Sequence, residues 1–320
     1  MTPQQGPILA CDLGGTRMKL GLVRGGRVLA QSVIPAHSDR GLGPRLPALT
    51  SALRELLALQ KLESAQCRGI GISFPSLIDY ASGRIIAEYG KYRDAMSIDL
   101  RAWAKAEFNL PLAIENDARM ALIGEWRSGA GRGSDNLAMM TLGTGLGTAV
   151  VIEGRVLRGV HGQAACLGGH TTVRYGGRPC NCHNVGCAEA EASTAFLAEI
   201  AHARPDFATS ALAHEPLLDF SAVFRHAANG DACAISIRDH SLEVWSALAV
   251  NLVHFFDPEK IIVGGGIMVS ADVILNYMRQ YVHRHAHTPW GKVEVVASEL
   301  GDQAALVACQ WLVEEYLKTL

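Results

Sequence analysis

No stretch of this 320-residue sequence stays apolar for the roughly 20 residues that a membrane-spanning helix needs. The nearest approach, Leu137 to Ile152, is interrupted by Thr141, Gly143, Thr144, Gly145, Gly147 and Thr148, so a buried strand–turn–strand is expected there. A basic surplus is lacking too: 29 Lys and Arg against 31 Asp and Glu leave a formal charge of −2. Proteins that grip a phosphate backbone normally carry a basic excess or stripe, which argues against nucleic acid as a partner. Met1 to Pro7 contains neither the basic region nor the apolar core of a signal peptide. Without a secretion signal the eight cysteines do not read as a disulfide framework. A cytoplasmic protein with no membrane partner is expected. The Gly-Lys-Ser/Thr ending of a P-loop is missing as well, as are low-complexity segments and disordered linkers.

What is present fits two α/β domains, at roughly 150 residues each. Apolar runs at Ile8 to Asp12, Leu20 to Val23 and Arg27 to Ile34, parted by Leu13-Gly14-Gly15-Thr16 and Gly25-Gly26, read as a β-meander. Helical spacing follows over Arg45 to Leu59, a strand over Arg68 to Phe74, and a helix over Leu100 to Phe108. A short strand at Leu112 to Ile114 ends in Glu115-Asn116-Asp117, and Ala118 to Ser128 reads as a helix. A shift of 128 places Gly15-Thr16 on Gly143-Thr144 and Gly26-Arg27-Val28-Leu29 on Gly154-Arg155-Val156-Leu157. Each half would thus open with the same hairpin around a Gly-Thr turn, and the two domains would face each other across a cleft. Later helices are expected over Ala188 to Ala203 and Asp231 to Phe255, and strands over Lys260 to Val263 and Val293 to Val296. A closing helix is expected over Gln303 to Leu320.

Several of these junctions carry chemistry. A strand ending in Asp12-Leu13-Gly14-Gly15-Thr16 can bring backbone N–H groups and a hydroxyl to a phosphate, because no Cβ blocks the approach. Asp12 could hold Mg²⁺ beside that phosphate; the plain alternative is a hairpin turn. Gly143-Thr144-Gly145-Leu146-Gly147 reads the same way, and Gly264-Gly265-Gly266 admits either a ligand or a close-packed neighbour. Three such turns in one chain favour a nucleotide site. Asp117, at a strand–helix junction, is placed to accept a proton from a substrate hydroxyl; otherwise Asn116 or Asp117 caps the helix. Cys180-Asn181-Cys182, Cys187 and His170 make a complete tetrahedral set for structural zinc. His161 and His183 are alternative fourth ligands.

Together these landmarks resemble the ROK family of sugar kinases and sugar-sensing repressors, within the actin-like ATPase superfamily. The resemblance runs from residue 8 to the last helix. Its most specific stretch is Cys180-Asn181-Cys182…Gly186-Cys187-Ala188-Glu189…Ser193. The family's repressors carry a DNA-binding domain before the first strand; only about seven residues precede it here, which fits the kinases. The resemblance implies two actin-like (ribonuclease H-like) α/β domains facing across a nucleotide and sugar cleft, with a zinc-binding loop at 170–187. Residues 1–117 with 303–320 would form the N-terminal domain and 118–302 the C-terminal one.

The implied activity is ATP-dependent phosphoryl transfer to a sugar, usually at a primary hydroxyl. Asp117 would be general base, with Asn116, His170 and Glu189 on the sugar. Asp12, Gly14, Gly15, Thr16, Gly143, Thr144 and Gly145 would handle phosphate and Mg²⁺, and Gly265 and Gly266 would lie near the adenosine. One structural Zn²⁺ would sit on His170, Cys180, Cys182 and Cys187. A homodimer or homotetramer is implied. The chain departs from the family pattern at several positions: Leu167 stands where a Glu is usual before Gly-His, Cys166 replaces the glycine before it, His183 follows Cys182 where the family has Gly, and Thr148 replaces a glycine of the second phosphate turn. Leucine cannot accept a hydrogen bond, so one polar sugar contact is missing. A catalytically weak, sugar-binding regulatory protein is the competing reading.

Overall fold

The protein is described from a computed structural model that covers residues 6–320. The first five residues, part of the terminus in which no leader is expected, lie outside the described residues. In chain order the elements begin with β1 (Ile8–Leu13), β2 (Arg17–Arg24), β3 (Arg27–Pro35), α1 (Leu46–Leu59), β4 (Ile70–Phe74), β5 (Ile78–Asp79) and β6 (Arg84–Ile85). Then come α2 (Leu100–Phe108), β7 (Leu112–Asn116), α3 (Asp117–Ser128), β8 (Leu137–Leu142), β9 (Leu146–Ile152) and β10 (Arg155–Val156). The chain continues through α4 (Ala188–Ala192), α5 (Leu197–His202), α6 (Phe220–Ala228), α7 (Ala232–Phe256) and β11 (Lys260–Gly264). It closes with α8 (Ala271–His285), β12 (Glu294–Ala297) and α9 (Ala304–Leu317).

Two mixed sheets share one topology. The first has the order β3-β2-β1-β4-β7 and the second β10-β9-β8-β11-β12. In each, three antiparallel strands are followed by two that run parallel to the opening strand. The aligned hairpins also share a turn. Gly25-Gly26 and Glu153-Gly154 all have positive φ, as a two-residue turn matched to strand twist requires. The expected strand–turn–strand at Leu137 to Ile152 is β8 and β9, and no helix among the described residues is long and apolar enough to cross a membrane.

The chain folds as two compact units. One holds the described residues through Arg132, with Arg158–Ala164 and Leu300–Leu320; the other holds Gly133–Leu157 and Ala165–Glu299. Each has its own apolar core. Residues 118–132 thus lie in the first unit, beyond the boundary expected after 117. The cause is α9, which packs on both α3 and the first sheet. Trp126 meets Trp311 edge-on with ring centroids 5.6 Å apart. A Cβ on Gly124 would stand 2.2 Å from the Ala304 carbonyl oxygen. On the sheet side, a Cβ on Gly71 would stand 2.6 Å from that of Cys309, and one on Gly69 2.7 Å from Val313. Small residues let the helix approach this closely.

One expected element is broken. The helix read over 188–203 is two short ones, because the Thr194 and Ala195 amides turn away to donate to the carbonyls of Gly143 (3.1 Å) and Thr144 (3.0 Å).

Candidate active site

In the first unit, the parallel strands bring Asp12, Ser73 and Glu115 into one row, since Asp12 pairs in register with Ser73 and Ser73 with Glu115. Asp12 is half-buried, with Lys19 Nζ 3.6 Å from its Oδ2; the same ammonium lies 3.0 Å from Asp302. Desolvation raises the Asp12 pKa, while Lys19 and Ser73 pull it down. Ser73 Oγ is buried without a hydrogen-bond partner of normal geometry, although it lies close enough to favour the ionised carboxylate. A carboxylate beside an unsatisfied hydroxyl is the hard oxygen chemistry that suits Mg²⁺.

The Gly14-Gly15 turn that follows is held from behind. Tyr92 donates its hydroxyl to the Gly14 carbonyl (2.7 Å), and Ser38 donates to that of Gly15 (2.7 Å). Both carbonyls are therefore engaged. Neither glycine needs an unusual backbone angle; the constraint is space, since a Cβ on Gly14 would stand 2.8 Å from the Arg17 carbonyl oxygen. Thr16 is exposed at the tip.

Asn116 and Asp117 end β7 and open α3. Asn116 is the cap: its Oδ1 accepts from the amides of Ala118 (3.1 Å) and Arg119 (3.3 Å), and its Nδ2 donates to the Ser76 carbonyl (3.1 Å). Asp117 is the first helical residue, and its Oδ1 accepts from the Ala118 amide (2.8 Å) and from Asn116 Nδ2 (3.1 Å). Asp117 is an exposed residue, yet surrounding protein still desolvates its carboxyl. With Asp12 adding its negative charge, the pKa is pushed up to about 6, against the opposing pull of Lys91 and the Ala118 amide.

Behind this pair lies a network without an obvious sequence signature. Fully buried Glu115 accepts from Arg119 (3.2 Å) and from Arg158 (2.6 Å). Arg119, also fully buried, donates onward to the carbonyls of Gly162 (2.9 Å) and Ala164 (2.8 Å). This is what joins the segment Arg158–Ala164 to α3. Its only legible trace was the four-residue spacing of Glu115 and Arg119. That spacing spans a strand end and a helix start rather than one helix.

In the second unit, Gly143-Thr144-Gly145 links β8 to β9, and the structure brings two other motifs to it. Glu189 accepts from the Leu146 amide (2.9 Å), and a Cβ on Gly145 would stand 2.5 Å from its carboxylate. Gly265, at φ 98°, lies so close to β8 that a Cβ would stand 2.3 Å from the Leu142 carbonyl oxygen. Close packing therefore accounts for Gly265, whereas Gly266 faces open space. Thr148 takes the hydrogen of the Gly168 amide (2.9 Å) and gives its own to the Ala165 carbonyl. It thereby pins the loop that carries half-buried Leu167 toward His170.

His170, Cys180, Cys182 and Cys187 place four donor atoms within 4.8 Å of one another, and neither His161 nor His183 belongs to the group. Cys180 Sγ lies 3.5 Å from His170 Nδ1, and the Sγ atoms of Cys182 and Cys187 lie 3.6 Å apart. Metal–sulfur bonds of about 2.3 Å and metal–nitrogen bonds of about 2.0 Å give tetrahedral edges of roughly 3.5–3.8 Å, so the set fits one zinc-sized cation. Burial and the neighbouring thiols raise the pKa of Cys187, a crowding that a bound cation relieves. Buried Glu191 steadies the loop by accepting from the Arg178 amide (2.6 Å).

Comparisons with known proteins bear on both units. The model of the ROK family matches residues 8–316. A glucokinase of Halalkalibacterium halodurans is 32% identical over 313 residues, 95% of this chain and 94% of its own. A ROK family glucokinase from Streptomyces griseus, solved in complex with glucose and AMPPNP, is similar at a TM-score of 0.79 and 27% identity, over 97% of this chain and 100% of its own. A ROK family transcriptional regulator, a homologue of the E. coli MLC protein, gives a TM-score of 0.81 at 25% identity, over 100% of this chain and 81% of its own.

Proposed function

Because the chain belongs to the ROK family, and within it is a sugar kinase, we propose that it transfers the γ-phosphoryl group of ATP to a primary hydroxyl of a hexose or hexose derivative. The observation that carries this reading is Asp117. Asn116 caps α3 through the Ala118 and Arg119 amides, of which Asp117 shares only the first, and a pKa near 6 leaves Asp117 ionised at pH 7 yet basic enough to take a proton. Asp117 accepts the proton of the attacking hydroxyl as the new phosphorus–oxygen bond forms and ADP departs.

The other residues position and neutralise. Asp12 would hold Mg²⁺, which when bound offsets charge on the transferring phosphoryl group. Gly14, Gly15 and Thr16 present backbone amides and a hydroxyl to phosphate, as do Gly143, Thr144 and Gly145, with Gly265 and Gly266 toward the adenosine. Asn116, His170 and Glu189 bind the sugar. His170 turns Nδ1 to the thiols, which leaves Nε2 for a sugar hydroxyl. Zinc on His170, Cys180, Cys182 and Cys187 would do no chemistry and would hold that loop in place.

The test is ADP release with Mg-ATP and a panel of hexoses, N-acetylated amino sugars and ketoses. At least one sugar should raise the rate far above the sugar-free background. Sugar binding without turnover across the panel would overturn the kinase reading. It would favour a sugar-binding regulator, the alternative that Leu167 and the likeness to a ROK regulator support.

A further inference from the structure

On the footing of that kinase reading, we infer that Lys91 is a further catalytic residue, a cation that binds the transferring γ-phosphoryl group beside the Gly14-Gly15 turn. The loop that carries it is strapped to the turn. The Tyr92 hydroxyl holds the Gly14 carbonyl, the Tyr92 amide donates to the Ser38 carbonyl (2.8 Å), and Ser38 holds Gly15. Two residues on, Asp94 accepts from the amides of Leu42 (2.5 Å) and Gly43 (2.9 Å). Lys91 is thereby laid across Gly15. A Cβ on that glycine would stand 2.9 Å from Lys91 Cε, 3.1 Å from Cδ and 3.5 Å from Nζ. Any side chain at position 15 would push the lysine aside.

Lys91 is half-buried, and its ammonium forms no ion pair or hydrogen bond among the described residues. The turn's other lysine cannot substitute, since Lys19 is already shared by Asp12 and Asp302. A cation with no ion-pair partner, held against the Gly14-Gly15 turn and close enough to Asp117 to lower its pKa, is suited to the charge that phosphoryl transfer gathers. In that step the sugar oxygen bonds to the γ-phosphorus as its bond to the β–γ bridging oxygen breaks. ADP leaves with the electron pair and the hydroxyl proton passes to Asp117. Lys91 stays protonated throughout.

Lys91→Met and Lys91→Arg in the full chain test this against the wild type. With a sugar that the wild type phosphorylates, Lys91→Met should lose about 10²–10³-fold in kcat, and Lys91→Arg should recover part of it. Calorimetry with Mg²⁺ provides a second reading. The wild type should bind AMPPNP more tightly than ADP, Lys91→Met should bind both alike, and sugar binding should not change. If Lys91→Met does not fold, Lys91→Gln gives the same two readings. A folded variant with wild-type kcat and an intact preference for AMPPNP removes Lys91 from the site and leaves the kinase reading standing. A wild type inactive on every sugar overturns the kinase reading instead, and the AMPPNP preference then decides Lys91 alone.

Discussion

Asp117→Asn separates a base from a cap with one atom's change. If Asp117 is the base, turnover should fall about 10²–10⁴-fold, as measured by initial rates at saturating sugar. Stability should move the other way. The folded-state pKa is raised from 3.8 to about 6, so the protonated carboxyl favours the fold below pH 3.8, and that advantage is lost as pH rises to about 6. Above it, ionised Asp117 costs stability that neutral Asn does not, so the variant should melt at or above the wild-type temperature at pH 7.5. An Asn variant with near wild-type turnover would leave the mechanism without its base. The same pKa sets a pH limit: kcat should fall about tenfold per unit below pH 6, as the base is protonated. A profile flat to pH 5 would contradict it. The sequence alone could not decide between base and cap, because Asn and Asp at a strand–helix junction both cap well. Which of the two takes the capping position is visible only in the placement of Asn116 Oδ1. Lys91 and Tyr92 were illegible for a different reason: they lie in an irregular loop whose approach to Gly15 no local pattern encodes.

Elements with a strong period were legible, and those shaped by tertiary contacts were not. The meander, α3 and β11 follow from apolar spacing and turn residues. The break between α4 and α5 does not, because the amides that end α4 are drawn away by a turn some fifty residues earlier in the chain. The cysteine loop was legible as a candidate metal site because its ligand types are so restricted, and geometry brings His170, rather than His161 or His183, to the three thiols. Cys182→Ser should therefore lose about one equivalent of zinc by metal analysis and lower the melting temperature, since structural metal contributes to folding directly. A variant that keeps its metal would point to another donor. The α9 contact gives a separate test. Gly71→Ala places a methyl 2.6 Å from Cys309 Cβ and 2.9 Å from its Cα, so the helix backbone must move. A loss of about 1–3 kcal/mol in urea unfolding is expected.

At the scale of the whole chain, the shared strand order of the two sheets was foreshadowed by the repeat of Gly-Thr and Gly-Arg-Val-Leu. The composition of the units was not. Arg158–Ala164 belongs with α3 through Arg119, whose burial a sequence cannot reveal. Arg119→Met leaves Glu115 buried with one counter-charge fewer and strips the Gly162 and Ala164 carbonyls of a donor. A loss of about 3–5 kcal/mol is expected on equilibrium unfolding; an effect below 1 kcal/mol would show that the network is incidental.

The position of α9 has a consequence for biosynthesis. The strands β1 and β4 leave the ribosome early, but the helix that fills the space above Gly69 and Gly71 is translated only after the whole second unit has emerged. Until then the nascent first sheet carries an apolar face that nothing in the chain yet made is shaped to cover. The second unit, whose residues are all translated before α9, has no such wait. Newly made chains should therefore pass through a stage in which one sheet is protected from proteases and the other is still a client for chaperones.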